Sequence, residues 1–193
     1  MGKIYCLMGK SSSGKDTIYK KLLKELPDRF RTVIPYTTRP IRSGEKDGVE
    51  YFFRSVPEFR ALENEGRIIE SRVYHTVHGD WYYFTVADGQ IDLEKNDYLI
   101  IMTPEGCRSL KNYFGDDNVL PIYIEVEDGL RLFRAVERER NQKSPKYAEL
   151  CRRYLADEND FSEDKLQAID VKKRYQNEDL ETCVRKICED LIG

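Results

Sequence analysis

The chain has 193 residues, 40% of them hydrophobic, enough apolar material for one compact domain with room for a small appended lobe. Thirty-two Lys and Arg against 35 Asp and Glu leave a net charge of −3, which argues against a dedicated nucleic-acid binder. Five scattered cysteines without a CxxC pair suggest neither a zinc site nor a disulfide framework, and the apolar start, broken at Gly9, is too short to span a bilayer; a cytoplasmic protein with reduced thiols and no membrane partner is expected.

In chain order, residues 3–8 are predicted as a buried strand and 15–26 as a helix stopped by Pro27. A second strand is predicted at 32–36. Residues 36–84, rich in aromatics and turn signals, read as a small inserted lobe with short antiparallel strands at 50–53, 67–74 and 81–85. Ser55-Val56-Pro57-Glu58 has the spacing of a capping box, so a helix should begin there. Two near-continuous apolar strands, 98–102 and 119–126, flank a helix at 104–114, the sign of a parallel sheet covered on both faces. A short basic excursion, 138–147, reads as a mobile loop. Residues 180–192 carry an apolar stripe at helical spacing. The expected fold class is α/β: a three-layer α/β/α core with a central parallel sheet (1–34 and 86–193), an inserted small α+β lobe (35–85) and a short lid (about 138–152).

Gly9-Lys10-Ser11-Ser12-Ser13-Gly14-Lys15 fits G-x-x-x-x-G-K between a predicted strand and a predicted helix. Glycines let the backbone wrap an anion, successive N–H groups point inward, and the helix N-terminus adds its positive dipole end. Lys15 can bridge terminal phosphates. The usual hydroxyl position holds Asp16, and Thr17 can supply the hydroxyl one residue later. These residues are expected to bind ATP, with Mg2+ held by Thr17 or Asp16.

The second cluster is Thr37-Thr38-Arg39-Pro40-Ile41-Arg42, with Glu45 and Tyr51 following. Two arginine forks and a phenol hydroxyl suit one phosphate oxyanion, and Glu45 suits orienting an arginine rather than meeting the anion. Here the chain resembles guanylate kinases, whose nucleoside-monophosphate lobe carries S-x-T-T-R-x-x-R-x-G-E-x-x-G-x-x-Y; the matching positions are Thr37, Thr38, Arg39, Arg42, Gly44, Glu45, Gly48 and Tyr51. The resemblance runs over nearly the whole chain. It implies an ATP-dependent nucleoside monophosphate kinase of P-loop fold acting on GMP or dGMP, with Arg39, Arg42 and Tyr51 gripping the acceptor phosphate and Glu70 reading guanine. The segment His78 to Thr85 resembles the family's G-x-x-Y-G-[ST] hairpin, with Tyr82 in the tyrosine position. Arg134, Arg138 and Arg153 (or Arg152) match arginines that lie over the triphosphate, Asn177-Glu178 matches a late asparagine-acid pair, and Arg131 and Arg140 read as a solvated helix surface.

Four positions depart from the family pattern. Pro35 replaces a serine before the lobe motif; Tyr83-Phe84 replace Gly-Ser/Thr in the hairpin; Ile101 and Thr103 replace two aspartates; and Asp16 replaces the loop hydroxyl. Specificity for guanine is where these losses bear, since a base whose donors meet no acceptor loses affinity. A kinase for another monophosphate or for ribose bisphosphate, and a non-catalytic binding module, are the alternatives. The expected reaction needs no strong general base, because the acceptor already bears a charged oxygen. The lobe and lid are expected to close over both nucleotides, and a monomer is favoured.

Overall fold

The computed structural model describes residues 1–76 and 79–192, so His78 of the hairpin motif lies outside the described residues. The chain begins β1 (Ile4–Met8), α1 (Lys15–Glu25), β2 (Phe30–Arg31), β3 (Tyr36–Thr37), β4 (Phe52–Phe53), α2 (Val56–Asn64), β5 (Ile68–Thr76) and β6 (Gly79–Val86). It continues with β7 (Asp97–Ile101), α3 (Pro104–Phe114), β8 (Val119–Glu125), α4 (Asp128–Arg140), α5 (Tyr147–Asp160), α6 (Glu163–Ala168), β9 (Arg174–Gln176) and α7 (Leu180–Ile192).

Five strands form a parallel sheet in the order β2-β7-β1-β8-β9. All five residues of β1 are buried, as an interior parallel strand requires. Successive side chains alternate between faces: Ile4, Cys6 and Met8 pack with Cys107 and Leu110 of α3 and Leu166 of α6, whereas Tyr5 and Leu7 pack with Ile18 and Leu22 of α1 and Val184 and Ile187 of α7. Burying one such aliphatic side chain contributes about 1.5–3 kcal/mol.

Between β2 and β7 the chain builds a second sheet, in the order β4-β3-β6-β5, backed by α2. Ser55 caps α2 in a complete capping box with Glu58, and Phe59 of that helix, 1% exposed, packs under Tyr36 and Phe84. The strand expected over 32–36 does not form: only Tyr36 of that range lies in a strand, and two short strands flank it. Phe30–Arg31 pair with β7 in the large sheet and Tyr36–Thr37 with β6 in the small one, and residues 32–35 carry the chain across. Pro35 has no N–H to give a ladder, so the crossing falls beside it. A further difference is that β4 runs parallel to β3, not antiparallel, because the long 38–51 connection returns the chain in the same direction.

The C-terminal half holds more regular structure than sequence patterning suggests. The 138–147 excursion is helical at both ends: α4 continues to Arg140 and α5 begins at Tyr147. Helices α5 and α6 and strand β9 had no clear sequence signal.

Candidate active site

The phosphate loop leaves β1, the central strand of the large sheet, and enters α1. Ser12 (φ 64°) and Gly14 (φ 84°) adopt left-handed backbone, and the Ser13 N–H donates to the Lys10 carbonyl at 3.1 Å, which curls the loop. Its glycines are sterically required. A Cβ on Gly9 would lie 2.6 Å from Ser13 Oγ and 2.8 Å from the Ile124 carbonyl oxygen, and one on Gly14 would run into Asn177 Nδ2. Asn177, 3% exposed, donates to the Ser13 carbonyl at 2.7 Å and braces the loop from the β9 side. The buried hydroxyls of Ser12 and Ser13 and the Asn177 Oδ1 have no protein partner among the described residues. Buried hydroxyls without acceptors at a glycine-wrapped turn suit a polyphosphate ligand, whose oxygens would accept from them.

Lys15 opens α1 and lies 3.4 Å from the carboxylate of Asp16, whose side chain is 75% exposed. Thr17 is exposed on the same turn. Among the described residues no group of three or more His, Cys, Asp or Glu could hold a metal ion alone. The Asp16 carboxylate and the Thr17 hydroxyl are hard oxygen donors of the kind that magnesium takes, one or two at a time, beside phosphate oxygens and water.

The second cation cluster lies in the 38–51 connection. Arg39 is 4% exposed and donates through both terminal nitrogens to Glu45, at 2.7 and 2.5 Å. Tyr51 and Phe53 pack against its guanidinium at 5.0 and 5.3 Å from their ring centres. Glu45 also accepts from the backbone N–H of Arg42 at 2.8 Å, so a single carboxylate sets both arginine positions. The Arg39 fork and the Arg42 amide hold the Glu45 carboxyl down to about 2. The Arg42 side chain is exposed, free to meet a ligand.

Glu70 stands on β5 with its Oε1 accepting from the Thr85 hydroxyl at 2.8 Å. A Cβ built on Gly106, at the start of α3, would lie 3.5 Å from Glu70 Oε2. This places Glu70 at the C-terminal edge of the large sheet, because α3 follows β7 and β7 pairs in register with β1 (Leu7 with Ile101) next to the phosphate loop. Ligands of open α/β sheets bind at that edge. Burial pushes the Glu70 carboxyl up, and the Thr85 hydroxyl partly opposes it. Thr103, at a family aspartate position, is occupied as the N-cap of α3, accepting from the Gly106 N–H at 3.3 Å.

Tyr82 is not brought to this cluster. Its ring stacks on Phe59 at 4.3 Å and its hydroxyl accepts from Arg60 at 2.8 Å, on the α2 side of the small sheet. Side chains alternate along a strand, so the neighbouring Tyr83 takes the opposite face, 5.7 Å from Tyr51.

The lid arginines are unevenly placed. Arg134 donates to the carbonyls of Asn177 and Glu178 at 2.9 and 3.1 Å, which ties α4 to the residue bracing the phosphate loop. Arg138 is exposed. Arg153 lies 3.9 Å from Glu149, and Arg152 is forked onto the same carboxylate at 2.8 and 2.7 Å. Arg140, paired with Glu137 at 65% exposure, fits the expected solvated surface, but Arg131 does not. Arg131 is 1% exposed and contacts Asp128, Asp157 and Glu158 at 2.8–3.1 Å, with Tyr154 stacked 3.9 Å from its guanidinium carbon. The same carboxylates reach the phosphate loop: Asp157 accepts from the Ser11 N–H at 2.8 Å and Glu158 from Lys10 at 2.7 Å. Sequence reading missed this network because the buried stripe of α4 is Arg131, Ala135 and Glu139, a helical spacing without an apolar signature. The spacing itself, with Asp128 three residues before Arg131, was the available clue.

A cavity of about 330 Å³ adjoins the loop between the end of β8 and α4, lined by Lys10, Ser13, Glu127, Asp128 and Arg131. The family model described as guanylate kinase matches residues 1–187. The chain belongs to the guanylate kinase family. It is 28% identical to the guanylate kinase of Rickettsia prowazekii over 193 residues, 100% of this chain and 91% of that protein. With the guanylate kinase of Legionella pneumophila (strain Lens) identity is 32% over 116 residues, 60% of this chain. With that of Salinibacter ruber it is 35% over 118 residues, 61% of this chain. The chain spans only 54% and 61%, respectively, of those last two proteins. The crystal structure of guanylate kinase from Anaplasma phagocytophilum shares the fold, with a TM-score of 0.67 at 23% identity, covering 98% of this chain and 84% of that one.

Proposed function

We propose that this protein transfers the γ-phosphoryl group of ATP to GMP or dGMP, giving ADP and GDP or dGDP. The observation that carries this reading is the Arg39 cage. A nearly buried guanidinium is held by Glu45 between two aromatic rings, in a chain of the guanylate kinase family that also has a complete phosphate loop.

ATP phosphates lie in the Gly9–Gly14 turn, where Lys10, Ser11, Ser12 and Ser13 supply amides and hydroxyls and Asn177 keeps the turn curled. Lys15 reaches the β- and γ-phosphates. Thr17 or Asp16 would hold the magnesium ion that accompanies ATP, directly or through water, and that ion would supply charge neutralisation at the phosphates. On the acceptor side, residues 35–85 act as the monophosphate lobe. Arg39, Arg42 and Tyr51 hold the acceptor phosphate, and Glu70 accepts from guanine N1–H and the exocyclic amine, a donor pair that adenine lacks. The acceptor oxygen is already anionic, so catalysis is positioning and charge stabilisation. Arg134 works from the asparagine side of the loop, and Arg138 and Arg153 come from the 138–152 lid when it folds over the nucleotides.

An acceptor panel tests this reading. ADP release from Mg·ATP is followed with GMP, dGMP, AMP, CMP, UMP and dTMP. Turnover confined to the guanine nucleotides is expected. Turnover confined to another monophosphate would overturn the guanine assignment, and nucleotide binding without turnover of any acceptor would favour a binding module.

A further inference from the structure

The phosphate loop is braced from two sides. On the β9 side Asn177 donates to the Ser13 carbonyl at 2.7 Å. On the other side the Ser11 N–H donates to Asp157 Oδ2 at 2.8 Å, and the same oxygen accepts from Arg131 Nη1 at 3.1 Å. Asp157 stands in the last turn of α5 and is 8% exposed. A carboxylate that deep is costly unless cations and N–H donors meet it. Charge pairing alone does not account for this one. Arg131 already has Asp128 at 2.8 Å and Glu158 at 2.9 Å, and Lys10 has Glu158 at 2.7 Å and Asp128 at 3.6 Å. Two cations face three carboxylates, one more than neutrality requires, and surplus negative charge repels a polyphosphate. What the third carboxylate supplies is an acceptor for the Ser11 amide. The loop's own turn bond runs from the Ser13 N–H to the Lys10 carbonyl and leaves that amide to be met from outside.

We infer that Asp157 is a positioning residue for phosphoryl transfer, its Oδ2 fixing the Ser11 limb of the phosphate loop in the shape that takes the ATP phosphates. That oxygen joins three elements: the loop at Ser11, α4 through Arg131, and α5, which carries Asp157 itself. Arg134 and Arg138 stand on α4 and Arg153 on α5, so the loop and the arginines proposed to meet the triphosphate share one frame. Asp157 acts through the loop, not on the nucleotide. The group that matters is the acceptor oxygen, which an asparagine keeps, and not the charge, which an asparagine loses.

This assignment rests on the ATP-dependent kinase reading, and binding is measured apart from turnover so that the two can fail separately. Mg·ATP affinity by calorimetry, the turnover number, the Michaelis constant for GMP and thermal melting are compared for the unsubstituted protein, Asp157→Asn, Asp157→Ala and Asp157→Leu. Every variant takes the carboxylate from Arg131 and is expected to melt at a lower temperature. Asp157→Ala and Asp157→Leu also leave the Ser11 amide without an acceptor, which is expected to weaken Mg·ATP binding about tenfold. Their turnover number is expected to fall roughly ten- to hundredfold, the scale for an ångström of misplacement, with the GMP constant within about twofold. Asp157→Asn restores the acceptor and is expected to recover affinity and turnover to within about threefold, although it too melts early. A purely structural role would make affinity and turnover follow melting temperature and would not separate Asp157→Asn from Asp157→Leu. Leucine fills the vacated space, so the comparison survives if Asp157→Ala does not fold. Asp157→Leu matching the unsubstituted protein, or Asp157→Asn losing as much as Asp157→Leu, overturns the assignment while the kinase reading stands. Mg·ATP binding without turnover of any acceptor overturns the kinase reading, and the contrast in affinity between asparagine and leucine still decides the assignment. An unsubstituted protein that binds no Mg·ATP overturns both.

Discussion

Lys15 and Glu45 show how single residues divide the work. Lys15 is the cation proposed to reach the ATP phosphates, and its neighbour Asp16 lies 3.4 Å from it. Lys15→Met is expected to lower the turnover number by about 10²–10³-fold, the scale for losing one preorganised charge at a transition state. The protein should still melt cooperatively, since the side chain is not a core group. Glu45 acts differently, by holding Arg39. Its carboxyl is lowered to about 2 by that arginine, so its contribution to stability is fully present above the unfolded value, about 4.3 for a glutamate, and is lost as pH falls through about 2. The stability difference between the unsubstituted protein and Glu45→Gln should therefore be constant near neutrality and shrink between those two values in acid denaturation. At neutral pH Glu45→Gln should raise the GMP Michaelis constant while leaving that for ATP alone. For Glu70 the sign is reversed. Burial raises its carboxyl, so its contribution to stability is present at low pH and is lost as pH rises through the raised value. The guanine contact proposed for Glu70 needs the ionised form. The GMP Michaelis constant is expected to rise as pH falls through a value above the ordinary glutamate range, and Glu70→Gln should abolish that dependence.

At the scale of elements, the phosphate loop was legible because the backbone itself imposes its sequence: a left-handed turn and two close approaches leave only glycine at Gly9 and Gly14. The interior strands and α1, α2, α3 and α7 were legible from burial pattern, capping chemistry and helical period. Helix α5 and the α4–α5 brace were not. Their contact is made by Arg131, Asp128, Asp157 and Glu158, charged residues that a pattern of apolar positions reads as solvent-facing. The face of Tyr82 and Tyr83 was hidden for another reason. Two adjacent tyrosines look alike in sequence, and only strand pairing decides which one faces Tyr51. The brace carries its own prediction. Arg131→Met leaves Asp157 buried without its cation, and removal of one partner of a buried pair costs about 3–5 kcal/mol. Chemical denaturation should show a loss of that size. Arg140→Met, on the exposed side of the same helix, should change stability by less than about 0.5 kcal/mol.

For the whole molecule, the fold sets the two proposed anion sites on different sheets. The phosphate loop belongs to the five-stranded sheet and the arginine cage to the small four-stranded one, with Glu70 against α3 marking where the two sheets approach each other. Phosphoryl transfer requires both sites to engage one continuous polyphosphate, and closure of the lobe and lid would exclude water from it. The central claim is tested most directly by calorimetric binding of a bisubstrate analogue, adenosine and guanosine joined through five phosphates. Affinity well beyond that of ATP or GMP alone is predicted, with a loss of tenfold or more in either Lys15→Ala or Arg39→Ala. An analogue that binds no more tightly than ATP, and whose affinity is indifferent to Arg39→Ala, would contradict the account.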